Sequence, residues 1–317
     1  MTSGPILVTG AAGLIGGRLV SRLVADRVAV IATDRRAAEA PPVAGWVTVD
    51  LTDAPSLLAL MRDAQVRAVV HAGAISGPMV AAGDPHQVMW VNVGGALNIA
   101  EAALRTGVER LIALSSAGVY GPQATLDPVR EDAPLNATDI YGASKIAAET
   151  VLRAYRHDHS LPAIVLRPSS VYGPGRTTAC FIRDMIDHAR RGEPLALAPE
   201  GACRRQFVHV DDVVAAILGA LNAPRFDHFA FNVSGGTWLS EQEIAARAAP
   251  VLPGLRIASI AAPARCLDGE IGPLDTARAQ AAFGFSPSIP LAEGIAAYAA
   301  TLRQCEGDQG APGKLFA

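Results

Sequence analysis

The chain has few cysteines and nothing that pairs them. Cys180, Cys203, Cys266 and Cys305 are scattered over 317 residues with no C-x-x-C spacing. Free thiols in a reducing cytoplasm are therefore expected. No apolar run reaches ~18 residues without polar interruption, which argues against a membrane span. There is no basic tract and no interleaving of aromatic with basic residues, and the formal net charge is only −3. Nucleic acid is thus not an expected partner. The first strand pattern begins within the opening residues of the sequence as given, leaving no room there for a secretory leader. No internal repeat and no low-complexity block interrupts the chain. What is present is apolar material: 50% of the residues are hydrophobic, enough for one large core or two unequal ones.

That apolar material is organised from the start. Ile6-Leu7-Val8 reads as a short buried strand, followed by Gly10-x-x-Gly13-x-x-Gly16 and an amphipathic helix. Gly10 permits a tight turn, Gly13 a close approach of backbone to phosphate, and Gly16 close helix–strand packing. Leu14 and Ile15 open the helix, whose free N–H groups and partial positive charge suit a pyrophosphate. The spacing is not the commoner G-x-G-x-x-G, so a plain strand–helix turn is the competing reading. Asp34 weighs against it. It closes the next strand near the ~20-residue spacing at which a carboxylate meets a ribose 2′-hydroxyl. The acid favours NAD, while Arg35 and Arg36 leave NADP possible.

Strand patterns at 5–9, 28–33, 46–49, 67–72, 109–115 and 162–167 alternate with helix patterns near 14–26, 54–64, 85–106 and 139–158. This predicts an α/β fold, a Rossmann-like doubly wound parallel sheet. After Arg167 the pattern loosens, with helices near 178–191, 210–222, 240–249 and 291–304. The expected division is a dinucleotide-binding domain over 1–168, with 205–225 packing back on it, a smaller α/β substrate-binding domain over 169–305, and a disordered tail over 306–317. The small part is expected to lie over the carboxyl ends of the strands, where ligands bind in such sheets.

Several features sit at those ends. Asp50 with Leu51 follows the third strand and fits an adenine amino group; an N-cap by Thr52 or Asp53 is the alternative. His71-Ala72-Gly73-Ala74 follows the fourth, its small residues suiting a ligand against the backbone and its His71 a hydrogen-bonded core histidine. Ser115 and Ser116 end the fifth, either as turn formers or as hydroxyls that orient a reacting oxygen. Tyr141-Gly-Ala-Ser-Lys145 opens a helix and puts phenol and ammonium on one face. A phenol ionises near pH ~10, and a cation ~4 Å away at an effective dielectric of ~20 supplies the ~4 kcal/mol needed to bring it near neutrality. Such a phenolate removes a hydroxyl proton while the attached carbon is oxidised. Alone, the pair is equally compatible with a solvated helix face.

Taken together, Thr9-Gly10-x-x-Gly13-x-x-Gly16, Asp34, Asp50-Leu51, Asn92-Val93-x-Gly95, Ser115-Ser116-x-x-Val119-Tyr120-Gly121, Tyr141-x-x-x-Lys145, Arg167-Pro168-x-x-Val171-Tyr172-Gly173-Pro174, Arg205-Gln-Phe-Val-His-Val-Asp-Asp212 and Phe231-Asn232-Val233 resemble the extended short-chain dehydrogenase/reductase family, which includes nucleotide-sugar epimerases and dehydratases. The resemblance implies that Gly10, Gly13, Leu14, Ile15 and Gly16 hold the pyrophosphate of NAD. It gives the adenosine ribose to Asp34, with Arg35 beside it, and the adenine to Asp50 and Leu51. Ala72, Gly73, Ala74, Asn92, Ser115 and Pro168 would line the cofactor. Tyr141 would be the acid/base, Lys145 would bind the nicotinamide ribose and depress the tyrosine, and Ser116 stands at the family's usual separation from Tyr141. Ser76, Ser170 and Arg205 would face the substrate, and no metal is expected.

Departures from the family pattern narrow the reaction. The 4,6-dehydratases carry an Asp and a Glu after the Ser/Thr position; here stand Ala117 and Gly118, which hold no protons. Ser76 and Ser170 replace a lysine and an asparagine that help hold the sugar diphosphate in 4-epimerases, whereas Arg205 matches the arginine that grips it. Three readings stay open: an NAD-dependent sugar epimerase, a one-way dehydrogenase of a free sugar, sugar acid or small polyol, and a non-catalytic NAD(P)-binding regulator. The resemblance also implies a cytoplasmic homodimer joined through helices near 92–106 and 142–157.

Overall fold

A computed structural model describes residues 4–36, 45–77, 83–199, 204–258 and 271–307. Cys203, Cys266 and most of the tail, 308–317, lie outside the described residues. The sheet begins with β1 (Ile6–Thr9), which is buried along its whole length, as a central parallel strand must be when helices cover both faces. The chain then runs through α1 (Leu14–Ala25), β2 (Val30–Asp34), β3 (Trp46–Thr48), α2 (Ala54–Asp63) and β4 (Ala68–His71). The helix expected at 85–106 is three segments: α3 (Pro85–Met89), a π turn (Trp90–Gly94) and α4 (Gly95–Thr106). β5 (Arg110–Leu114), α5 (Ile140–His159) and β6 (Ala163–Pro168) complete the alternation.

The sheet has seven strands in the order β11-β6-β5-β4-β1-β2-β3, where β11 is Ala230–Val233, and every pairing within it is parallel. The order reverses between β1 and β4, where a crevice opens at the strand ends. One apolar core lies on the α1 face, with Leu19, Leu23, Val213 and Ile217. The other lies beneath α2, α4 and α5, with Leu57, Ile99 and Leu152. The fold is therefore the expected Rossmann-like α/β architecture.

Beyond β6 come β7 (Ser170–Tyr172), α6 (Phe181–Arg191), β8 (Pro194–Ala196), β9 (Arg204–Arg205), β10 (Phe207–His209) and α7 (Val210–Asn222). These are followed by β11 (Ala230–Val233), β12 (Leu239–Ser240), α8 (Glu241–Ala248), β13 (Arg256–Ala258), α9 (Ala277–Phe283) and α10 (Leu291–Gly307). A third core joins α6, α8 and α10 through Ile182, Met185, Ile244 and Ile295. The sequence pattern contained no strand at 230–233, yet β11 pairs with β6 as the seventh strand of the main sheet. Its signal is hidden because Asn232, mid-strand and fully buried, is satisfied by distant partners. The final helix runs to Gly307, beyond the expected start of the tail. Cys180 is a free thiol, and no helix among the described residues is long and apolar enough to cross a membrane.

Candidate active site

The glycine turn is shaped by contact. Gly10 has φ +67°, and a Cβ there would stand 2.5 Å from the Gly73 Cα. The turn after β1 and the loop after β4 thus touch backbone to backbone. Gly13 caps α1 without a side chain, and the first N–H groups of such a helix, at Leu14, Ile15 and Gly16, have no intrahelical acceptors of their own. Asp34 ends β2. Its carboxylate accepts from the Ala12 N–H (3.1 Å) and the Arg36 N–H (3.1 Å), and two oxygens leave further acceptor capacity for ribose hydroxyls. The Arg36 guanidinium lies over the same carboxylate and donates to the Ala12 carbonyl (3.0 Å). Arg35 is exposed, close enough for its charge to act on Asp50. This cradle fits a dinucleotide.

The adenine-side expectation has a different local outcome. Asp50 accepts from the Thr52 N–H (2.8 Å) and hydroxyl (2.7 Å), which hold its carboxyl below the usual range. Asp53 is the N-cap of α2. Leu51 lies against Gly73 and Gly95, where added Cβ atoms would meet its side chain at 2.8 and 3.0 Å.

Tyr141 and Lys145 occupy the first turns of α5. Asp139 caps this helix by accepting from the Gly142 N–H (2.8 Å). Gly142 is required by packing, since a Cβ there would stand 2.9 Å from the Gly118 carbonyl oxygen. Its absence lets α5 seat against the short helical turn Ala117–Val119, capped by the Ser116 hydroxyl (3.1 Å to the Gly118 N–H). Ser116 and Ser76, from the loops after β5 and β4, bring their hydroxyls close enough to the Tyr141 hydroxyl to favour its ionised form. Burial pushes the phenol above its ordinary value, while those two hydroxyls and the charge of Arg176 pull it down.

The Lys145 ammonium lies 5.8 Å from the Tyr141 ring centre and donates to the Leu114 carbonyl (2.9 Å). Burial lowers its pKa to about 8, against the pull of Glu149. His71 is held down to about 3, by burial first and by the Lys145 charge second. It meets the Thr9 hydroxyl at 2.8 Å, a neutral core histidine.

Asn92 sits inside the π turn, a common place for a functional side chain. Its amide oxygen accepts from the Ile75 N–H (2.8 Å), and its nitrogen donates to the Ile75 carbonyl (3.0 Å) and the Ser144 hydroxyl (2.9 Å). It therefore holds the Ser76 loop beside α5. The Ser115 hydroxyl donates to Glu149 (2.5 Å). Pro168 lies in register with Val233 at the end of β6, and Ser170 begins β7, pairing with Phe207 of β10. Arg205 donates to Glu241 through Nε (3.0 Å) and Nη2 (2.8 Å), so a substrate anion there would share this guanidinium with a carboxylate. Sequence reasoning missed Glu149 and Arg176. The first had a legible signal, a carboxylate one turn beyond Lys145 on the same face. Arg176 had none, because its place depends on loop carbonyls of Thr178 (3.1 Å) and Ala179 (3.2 Å).

The doubly wound sheet, the glycine cradle at its switch point and the Ser–Tyr–Lys cluster beside it belong to a class of nucleotide-dependent enzymes. The chain belongs to the NAD dependent epimerase/dehydratase family, which its residues 6–234 match. It is 33% identical over 308 residues to a UDP-glucose 4-epimerase of Mycolicibacterium smegmatis, covering 92% of this chain and 96% of that one. Among solved structures it resembles UDP-glucose 4-epimerase of Thermotoga maritima with UDP-glucose, with a TM-score of 0.87, 25% identity and 95% and 99% of the two chains covered. It also resembles MoeE5 in complex with UDP-glucose and NAD, with a TM-score of 0.82, 32% identity and 96% and 100% covered.

Proposed function

We propose that the protein is an NAD-dependent epimerase that inverts C4 of a nucleotide-linked sugar. The observation that carries this reading is the meeting of Ser76 and Ser116 on the Tyr141 hydroxyl, with Lys145 one turn further along α5. Its relatives named as UDP-glucose 4-epimerases support it, as does the cradle's fit to a dinucleotide. The pyrophosphate falls to the N–H groups of Leu14, Ile15 and Gly16, and the adenosine ribose to Asp34. Bound NAD supplies a reversible acceptor for the C4 hydrogen and its electron pair.

The remaining steps belong to the chain. Tyr141 takes the proton of the C4 hydroxyl, and Ser116 holds that oxygen in line. Lys145 stabilises the phenolate by its charge. The phenolate–ammonium form and its neutral counterpart differ by a proton moved between Tyr141 and Lys145. The 4-keto sugar turns over in the crevice, so that C4 takes its hydrogen and electron pair back on the opposite face while Tyr141 returns the proton to the C4 oxygen. Ala117 and Gly118 carry no acid or base, which separates this site from the 4,6-dehydratases in the same family.

Arg205 is assigned to the substrate diphosphate, with Ser76 and Ser170 nearer the sugar. The same assignment gives a cofactor-binding part over 1–168, with 205–225 and β11 packed back on it, and a substrate-binding part over the remainder of 169–305. A homodimer through α4 and α5 is supported by the exposure of Trp90 (59%) and Leu97 (43%) on this helical run, and a cytoplasmic setting by the scattered cysteines.

The test is incubation of the purified protein with UDP- and dTDP-sugars, and separately with aldoses and sugar acids plus NAD. The expected result is a C4 epimer of a nucleotide sugar with no net NADH. Net NADH from a free sugar would instead establish the one-way dehydrogenase, the reading that Ser76 and Ser170 favour.

A further inference from the structure

Glu149 stands one turn beyond Lys145 on α5, and both side chains are buried. The two reach the same strand end. Lys145 Nζ donates to the Leu114 carbonyl (2.9 Å), and the next residue, Ser115, donates its hydroxyl to Glu149 Oε1 (2.5 Å). The helix thereby grips two successive residues immediately before Ser116. From β6, Arg167 closes on the same carboxylate, Nε to Oε1 at 2.9 Å and Nη2 to Oε2 at 2.6 Å. These side chains are only 1% and 2% exposed. Arg167 continues to the Tyr120 hydroxyl (2.9 Å), which donates to Asn232 on β11 (2.7 Å). One network thus joins α5, β5, β6, β11 and the turn that carries Ser116.

A buried ion pair is a poor device for stability alone, because apolar residues of similar volume commonly hold a helix on a sheet as well or better. Its position explains its presence better than its strength does. The titratable groups facing the Lys145 ammonium are Tyr141 and Glu149 on its own helix and His71 on β4, with Arg167 of β6 behind Glu149. His71 is neutral, and the phenol is held protonated by burial. Glu149 is the carboxylate of this set, and it is paired with Arg167.

We propose that Glu149 is a positioning residue for the acid/base pair: its carboxylate, braced by Ser115 and Arg167, locks α5 to the strand ends and provides the counter-charge that sets the pH range over which Tyr141 and Lys145 exchange a proton. This rests on the reading of Tyr141 and Lys145 as that pair. Burial drives the Lys145 ammonium toward losing its proton, and Glu149 resists. Without the anion, each proton loss from the pair occurs at lower pH.

The test is the pH profile of kcat for interconversion of UDP-galactose and UDP-glucose by the full-length holoenzyme. In Glu149→Gln both limbs are expected to move down by about one pH unit, with KM unchanged, and Glu149→Asp restores their position. Should Glu149→Gln fail to fold around an unpaired Arg167, the double variant Glu149→Met/Arg167→Met leaves that ion pair with no stranded partner and carries a displacement in the same direction, smaller because the Arg167 charge leaves with the anion. Limbs that stay at their wild-type pH in the folded variant overturn the proposal, even if kcat falls uniformly. In that event an inactive Tyr141→Phe still upholds the acid/base pair. A fully active Tyr141→Phe removes the pair and this proposal together.

Discussion

Tyr141→Phe is expected to lower kcat for epimerisation about 10³-fold, within the range that one general acid/base supplies, and to leave substrate KM and NAD binding close to wild type. The substitution removes one oxygen and keeps the ring. That ring packs with Val88, Ile75 and Ile140, so the fold has no reason to change. The hydroxyl alone meets Ser76 and Ser116, and no second group among the described residues at this end of the sheet is placed to take over. His71 is engaged with Thr9 and held neutral far below physiological pH. Steady-state epimer formation with a thermal melt on the same sample is the measurement. Wild-type turnover at unchanged stability would show that the proton moves elsewhere.

Arg167→Met is expected to destabilise the fold by about 3–5 kcal/mol. It strands the Glu149 carboxylate, 2% exposed, with the Ser115 hydroxyl as its remaining donor. It also takes donors from the Tyr120 hydroxyl (2.9 Å) and the Glu131 carbonyl (3.0 Å). Removing both charges together in Glu149→Met/Arg167→Met should recover most of that loss, since the penalty comes from an unpaired buried charge rather than from a missing attraction. Urea denaturation of wild type, single and double variants reads the difference. A single variant within about 1 kcal/mol of wild type, the scale of an exposed pair, would mean that water reaches this site.

The sequence made the first half of the fold legible because its strands are continuous apolar runs and its helices carry one apolar face. β1, the glycine turn and α1 follow from neighbouring residues alone. Tyr141 and Lys145 were legible for the same reason: a spacing of four on one helix fixes their meeting. What escaped depends on partners far along the chain. β11 reads poorly because Asn232 sits mid-strand, and its suitability there is set by Tyr120, Val129, Glu131 and Asp275. β9 and β12 have two residues each, too few for any periodicity. Arg205 looked like an open anion contact, and its engagement with Glu241 joins residues 36 apart. Ser115 and Ser116 are adjacent and alike in composition, yet one turns to Glu149 and the other to Tyr141. The alternation of side chains at a strand end, not residue type, decides which is which.

The central claim is that a C4 hydrogen leaves the sugar and returns to it while Tyr141 manages the hydroxyl proton. The most direct test is turnover of UDP-galactose carrying deuterium at C4 in ordinary water. The account predicts UDP-glucose that keeps its deuterium at C4, with no net NADH. Loss of the label to solvent, or net NADH accompanied by a 4-keto product, would contradict it.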